Sequence, residues 1–218
     1  MQLTFIGSSM TKRNKSCESE VMLTMQRKEL LKKSAIRHAE YYGMVEVQDA
    51  LYEDSANKKI FTDLISIIGS DANIKMAYRN LKSNKGSNTP GVDGKTFKDL
   101  AEMSEEALVR CVRDKILNYQ PKAVRRVYIP KPNGKMRPLG IPTVIDRIVQ
   151  QSVLQVMEPI CEAKFYRHSY GFRPNRSTKN AVAVCYKTAQ VDGFHYVVDV
   201  DIKGFFDNVD HGKPLKQI

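Results

Sequence analysis

The stretch YVVDVDIKGFFDNVDH, Tyr196 to His211, constrains this chain most, because it sets carboxylates within an apolar, strand-like run. Tyr196, Val197, Val198, Val200 and Ile202 are aromatic or β-branched, the composition of a buried strand. Asp199 and Asp201 interrupt them. A bare carboxylate in a buried strand is costly unless a cation compensates it. Mg²⁺ is one such compensator, since it takes oxygen ligands from one or two carboxylates plus substrate phosphates. Gly204, Phe205 and Phe206 follow, a small residue and two rings that suit a pocket for a nucleotide sugar. A strand ending in a solvated Asp, with the Phe pair in a core, fits the stretch equally well.

Composition narrows the partner. The chain has 218 residues, 42% of them apolar, enough for one sizeable domain or a domain with an appendage. Lys and Arg number 35 against 24 Asp and Glu, a net charge of +11. Such a balance implies a polyanion, either nucleic acid or an anionic membrane surface. No apolar run reaches the length of a membrane span, and MQLTFIGSSMTKRNK lacks the apolar core of a signal peptide. A soluble, cytoplasmic protein that binds nucleic acid is the expected class, with no membrane partner. Cys17, Cys111, Cys161 and Cys185 stand far apart and form no CxxC pair, so reduced, packed thiols are expected and a zinc site is not.

The patterning gives the elements. Residues 1–59 read as a polar N-terminal extension, disordered around Met10–Glu20 and helical from about Glu20 to Tyr42. A short helix is expected over Ile60–Ile68, stopped by Gly69. A second, capped by Ser70 or Asp71, carries Ile74, Ala77, Tyr78 and Leu81 on one face. Asn84 to Gly94 is loop, rich in Gly, Pro and Asn, and its Lys85 sits where a backbone phosphate can approach. Ser104 caps a helix with Leu108, Cys111, Val112 and Ile116, and Pro121 ends it. Val124–Ile129 and Met136–Ile141 form a hairpin around the turn Pro132-Asn133-Gly134. Thr143 and Asp146 have capping-box spacing and open a helix to about Met157, with Ile145, Ile148, Val149 and Val153 inward. Ser177 caps another helix, and Asp192-Gly193 turns the chain into the Asp201 strand.

Basic residues cluster around that strand. Lys122 to Arg147 holds seven against the single acid Asp146, and Lys164 to Lys187 holds six and no acid. Tyr166, Tyr170 and Phe172 interleave with the second set and could stack on unpaired bases; Phe165 reads rather as core.

Three segments in order carry a resemblance: RRVYIPKPNGKMRPLGIPTVIDRIVQQSVLQVMEPI (Arg125–Ile160), YGFRPNRSTKNAV (Tyr170–Val182) and the Asp201 strand. With NKGSNTPGVDGKTF upstream (Asn84–Phe97), they resemble the reverse-transcriptase domain of group II intron-encoded proteins, the maturase/reverse transcriptases, from about Ile60 to His211. The resemblance implies an α+β fold: the fingers of a right-hand polymerase with a β-hairpin, over 60–190, and the beginning of a palm sheet over 194–211, incomplete. It implies that the hairpin covers the incoming nucleotide, with Lys131 and Arg137 on its triphosphate. Asp201 matches the first catalytic carboxylate, holding two Mg²⁺ ions with help from the Ile202 carbonyl. Phe206 matches the ring that excludes a 2′-hydroxyl, with Phe205 the less favoured choice. Gly171, Phe172, Arg173 and Pro174 match a template-supporting motif, and Arg125, Arg126, Arg176 and Lys85 join the nucleic-acid surface. The implied partners are group II intron RNA, an RNA template with a DNA primer, and deoxynucleoside triphosphates; a dimer stays open. One departure matters. The family's Tyr-Ala-Asp-Asp turn is absent, and no adjacent Asp-Asp pair occurs in the sequence. A chain without it, and without a thumb, is expected to be inactive alone. Alternatives are a non-catalytic RNA-binding module that assists intron splicing, and a fragment of a retron or diversity-generating reverse transcriptase.

Overall fold

The computed structural model describes residues 37–132, 134–194, 196–202, 205, 208–210 and 212–215. The expectations for Met10–Glu20, for most of the helix ending at Tyr42, and for Phe206 lie outside them. The chain divides into two compact units, the first ending at Phe165 and the second beginning at Tyr166.

In the first unit a helical turn over 37–41 leads into α1 (Met44–Ala56), α2 (Leu64–Ile68) and α3 (Asp71–Lys82). A 3₁₀ turn (Lys85–Asn88), the short α4 (Phe97–Leu100) and α5 (Glu105–Leu117) follow. Strands β1 (Arg125–Pro130) and β2 (Met136–Ile141) form the hairpin, and α6 (Val144–Glu162) closes the unit. Side-chain oxygens of Asp63, Ser70, Ser104 and Thr143 accept the first free N–H groups of α2, α3, α5 and α6, so each helix starts where its cap residue stands. Thr96 and Asp99 form a full capping box on α4.

α6 is the central helix, and α1, α2, α3 and α5 all pack on it. Val144, Ile148 and Val156 are fully buried there with Ile74, Ala77 and Val112 from α3 and α5. The inward face of α6 differs from the expected one. Val153 is 38% exposed, while Ser152 and Gln155 are buried in its place. They are tolerated because they are paired. Gln155 donates to the Asn73 side chain at 2.7 Å and to its carbonyl at 3.1 Å, and accepts from Asn80 at 3.0 Å. Asn73 in turn donates to the Ser152 and Ile68 carbonyls, both at 3.0 Å. Cys111 is exposed and Val109 takes its place in the core. Part of the 1–59 extension is also core. Leu51 and Ser55 of α1 are buried, and the Ser55 hydroxyl donates to the Ile160 carbonyl at 2.8 Å.

The second unit holds a loop over 166–176, α7 (Thr178–Gln190) and the short α8 (Gly212–Leu215). No residue of α7 is buried. The expected strand does not form: residues 196–202 carry no strand structure, and Tyr196, Val197, Val198, Val200 and Ile202 are 65–95% exposed. A strand needs a ladder partner for its N–H and C=O groups, and β1 and β2 are the only strands among the described residues. Asp199 and Asp201 are exposed as well, so no buried carboxylate needs a compensating cation here. Fold class is therefore mixed helix and sheet, with a two-stranded antiparallel sheet.

Candidate nucleotide and nucleic-acid site

The hairpin assembles the basic residues of the first unit. Its register pairs Arg125 with Ile141, Val127 with Leu139 and Ile129 with Arg137. Alternation then puts Arg125, Val127, Ile129 and Arg137 on one face and Arg126 and Tyr128 on the other. At the tip the Gly134 N–H donates to the Lys131 carbonyl at 3.0 Å, and the Lys131 N–H donates to the Lys135 carbonyl at 2.8 Å. Gly134 takes φ 77°, a conformation glycine adopts without strain. Pro138 is tolerated because a two-stranded ribbon has free edges. Lys131, Arg126 and Arg137 are exposed, and so are Tyr128, Ile129 and Met136. The arms project little into the core, so they present cations and apolar surface together.

Two cations of the same sequence cluster turn inward instead. Arg147 fans its guanidinium over three carbonyls: Pro142 at 3.1 Å, Gly86 at 3.0 Å and Thr89 at 2.5 Å. Desolvation lowers its pKa, opposed by the Asp93 charge and reinforced by Arg125. Arg125 donates from Nε to the Pro90 carbonyl at 3.0 Å. The loop 84–94 is thus fastened to the hairpin base and to the start of α6. Gly91 shows how tightly: a Cβ there would come within 2.6 Å of the Thr143 Cα. Lys85 stands exposed on the outer side of this loop.

In the second unit Arg173 is buried. It donates to the Tyr166 carbonyl at 2.9 Å and the Ser169 carbonyl at 3.0 Å, so it shapes the loop from within. With its guanidinium on these partly buried carbonyls, Arg173 shapes the loop that presents its neighbours. Phe172, next to it, has φ 54° and is fully exposed. Gly171 and Pro174 are exposed, and the Arg176 guanidinium lies 5.9 Å from the half-buried Tyr170 ring. Phe165, expected in the core, is 50% exposed. Asp201, Ile202 and Phe205 are exposed. Asp201 and the Ile202 carbonyl are hard oxygen donors of the right kind for Mg²⁺. Their number is too small: no group of three potential ligand side chains occurs among the described residues.

Residues 129–218 match the family described as reverse transcriptase (RNA-dependent DNA polymerase). Over 164 residues the chain is 40% identical to protein YkfC of Escherichia coli K12, covering 71% of this chain and 42% of that protein. It is 39% identical over 154 residues to the group II intron-encoded protein LtrA of Lactococcus lactis subsp. cremoris, covering 70% of this chain and 25% of LtrA. A putative COX1/OXI3 intron 1 protein of Saccharomyces cerevisiae is 30% identical over 177 residues, 79% of this chain and 20% of that protein. The chain thus spans less than half the length of these relatives. No helix among the described residues is long and apolar enough to cross a membrane. On these matches the chain belongs to the family of group II intron-encoded reverse transcriptases and maturases.

Proposed function

We propose that this chain supplies the nucleotide-covering and template-contacting part of an RNA-directed DNA polymerase that also binds intron RNA. One observation carries the reading: an exposed hairpin holds Lys131 at its tip and Arg137 on one arm, and the loop fastened to its base through Arg125 and Pro90 carries an exposed Lys85. Exposed cations on a paired ribbon suit a triphosphate, whose oxygens accept charge-assisted hydrogen bonds. Arg137 contributes a planar fork and Lys131 a point charge. Arg126, on the opposite face, and Lys85 serve the nucleic-acid backbone. Phe172 and Arg176 meet template bases and phosphates, with Arg173 holding their loop.

Asp201 and the Ile202 carbonyl are proposed as ligands of a divalent ion, Mg²⁺ by donor chemistry, which would stabilise charge on the transferring phosphate when bound. The remaining ligands of a two-ion site are not supplied by the described residues. Phe206, with Phe205 as the weaker candidate, is proposed beside the nucleotide sugar. Cytoplasmic action on group II intron RNA, an RNA template, a DNA primer and deoxynucleoside triphosphates follows from this reading.

The test is a chimaera in which the matched segment of this chain replaces that of LtrA. Arg137→Ala should raise the KM for nucleotides more than it weakens template binding. A lost charge-assisted contact costs about 1.5–3 kcal/mol, roughly ten- to a hundredfold. A loss confined to template affinity would move Arg137 from the nucleotide to the template strand.

A further inference from the structure

A cavity of about 460 Å³ opens between α4, α5 and the start of α6, on residues to which the polymerase reading gives no role. Its floor contains Asp146, which is 3% exposed. Asp146 Oδ2 accepts the Thr143 hydroxyl at 2.7 Å, whereas Oδ1 accepts no hydrogen bond. Tyr119 stands beside the same carboxylate: burial, then the Asp146 charge and a hydrogen-bonding interaction with it, raise the phenol pKa, so a ligand's donor would compete with this phenol. A buried carboxylate oxygen without a donor is a costly feature, and it defines what the cavity lacks. Leu100, Met103 and Ile145 give the cavity apolar walls, and Lys95, Lys115 and Lys122 border it with Asp93, Asp114 and Asn118.

The missing group is a hydrogen-bond donor, and the apolar walls of Leu100, Met103 and Ile145 suit one carried on a body with apolar faces. Among nucleobases only guanine offers two adjacent donors, N1–H and the exocyclic N2–H. Adenine and cytosine place a ring acceptor beside their amine, which would face the second carboxylate oxygen. A guanidinium offers the same paired donors, but it would approach a chain of net charge +11 and would leave Lys95, Lys115 and Lys122 at the cavity without an anion beyond Asp93 and Asp114. A guanine nucleotide brings the donors with a phosphate that those lysines attract. We propose that this cavity binds guanine with its phosphate, the Asp146 carboxylate reading N1–H and N2–H and Lys95 and Lys122 flanking the phosphate. The same chemistry comes from free guanosine monophosphate or from an unpaired guanosine in RNA, whose exposed base edge proteins commonly read.

Cys111 lines the cavity and is exposed, so its alkylation reports occupancy, and the exposed Cys185, outside this cavity, is the internal control. The full chain is treated with iodoacetamide alone and with guanosine, inosine or adenosine monophosphate, and binding is followed by calorimetry. Guanosine monophosphate should slow Cys111 alkylation and leave Cys185 unchanged. Inosine monophosphate, lacking the exocyclic amine, should bind about tenfold more weakly. Asp146→Asn should abolish the preference, since its amide can turn a donor toward the base while its oxygen still accepts from Thr143. Cys111→Phe, which fills the cavity without touching the α6 cap, should abolish binding in calorimetry. A single-stranded oligonucleotide with one guanosine that binds more tightly than the mononucleotide, dependent on Asp146, identifies RNA as the source. Tighter binding of the mononucleotide identifies the free ligand. Equal protection by adenosine monophosphate, better protection by arginine amide, or no protection at all would overturn the proposal.

Discussion

Arg147→Ala separates a structural cation from the binding cations around it. The side chain donates to the carbonyls of Pro142, Gly86 and Thr89, and it links the loop 84–94 to the start of α6. A hydrogen bond to a charged group contributes about 1.5–3 kcal/mol. The bond to Gly86 is exposed, and water replaces it readily once it is lost. The other two are partly buried, so the expected cost is about 3 kcal/mol rather than the sum of three. For a domain of this size that lowers Tm by on the order of 10 °C. Arg147→Lys keeps the charge but has no fork to span three acceptors, and should recover only a minor part. The assay is thermal unfolding by circular dichroism, paired with RNA binding well below the transition. Affinity for RNA should change little, because the guanidinium faces carbonyls and not solvent. A melting temperature within about 2 °C of the parent chain would refute the reasoning. So would full recovery by Lys.

Two further expectations follow from the same separation. RNA binding should weaken steeply with salt, and Arg126→Ala with Lys85→Ala should reduce the log–log slope by about 1.4–1.8, at roughly 0.7–0.9 per phosphate contact, whereas Lys131→Ala with Arg137→Ala should leave it nearly unchanged; an unchanged slope for the first pair in a filter-binding titration would remove Arg126 and Lys85 from the interface. Arg173→Ala should free the Tyr166 and Ser169 carbonyls, loosen the 166–176 loop by about 2 kcal/mol, and speed proteolysis there, whereas an intact loop with weakened RNA affinity would return Arg173 to the binding surface.

The hairpin was legible because its signals are local. Two β-rich runs flank Pro-Asn-Gly, and the strands form with Met136–Ile141 as expected and Arg125–Pro130 one residue later than expected. Helix starts were legible for the same reason, since Ser70, Ser104, Thr143 and Ser177 each cap through their own side chain. The inner face of α6 was not, because Ser152 and Gln155 look solvent-facing in sequence. Asn73 and Asn80, some 75–82 residues earlier, make the burial of Gln155 possible, and the Ser152 hydroxyl donates to the Ile148 carbonyl one turn back at 2.9 Å. α1 escaped notice because its buried contacts, Met44, Leu51 and Ser55, are sparse in a polar stretch. The run Tyr196–Ile202 reads as a strand by composition, yet composition cannot supply the neighbouring strand that would pair it. Counting cations overstated the surface as well. Arg147 and Arg173 have the same charge as Arg126 and Arg137, and only the fold shows which guanidinium meets a carbonyl. The orphaned oxygen of Asp146 is likewise invisible until Thr143 is seen to occupy its twin.

The central claim is that this segment serves RNA-directed DNA synthesis through Asp201. The most direct measurement is primer extension on an RNA template by the LtrA chimaera, compared with the same chimaera carrying Asp201→Asn. The substitution is nearly isosteric and removes the charge a divalent ion requires. The account predicts that the chimaera extends the primer, that the variant incorporates no nucleotide above background, and that both bind RNA with equal affinity. Synthesis by the variant at a rate close to the chimaera's would contradict it, and so would a folded, RNA-binding chimaera that extends no primer.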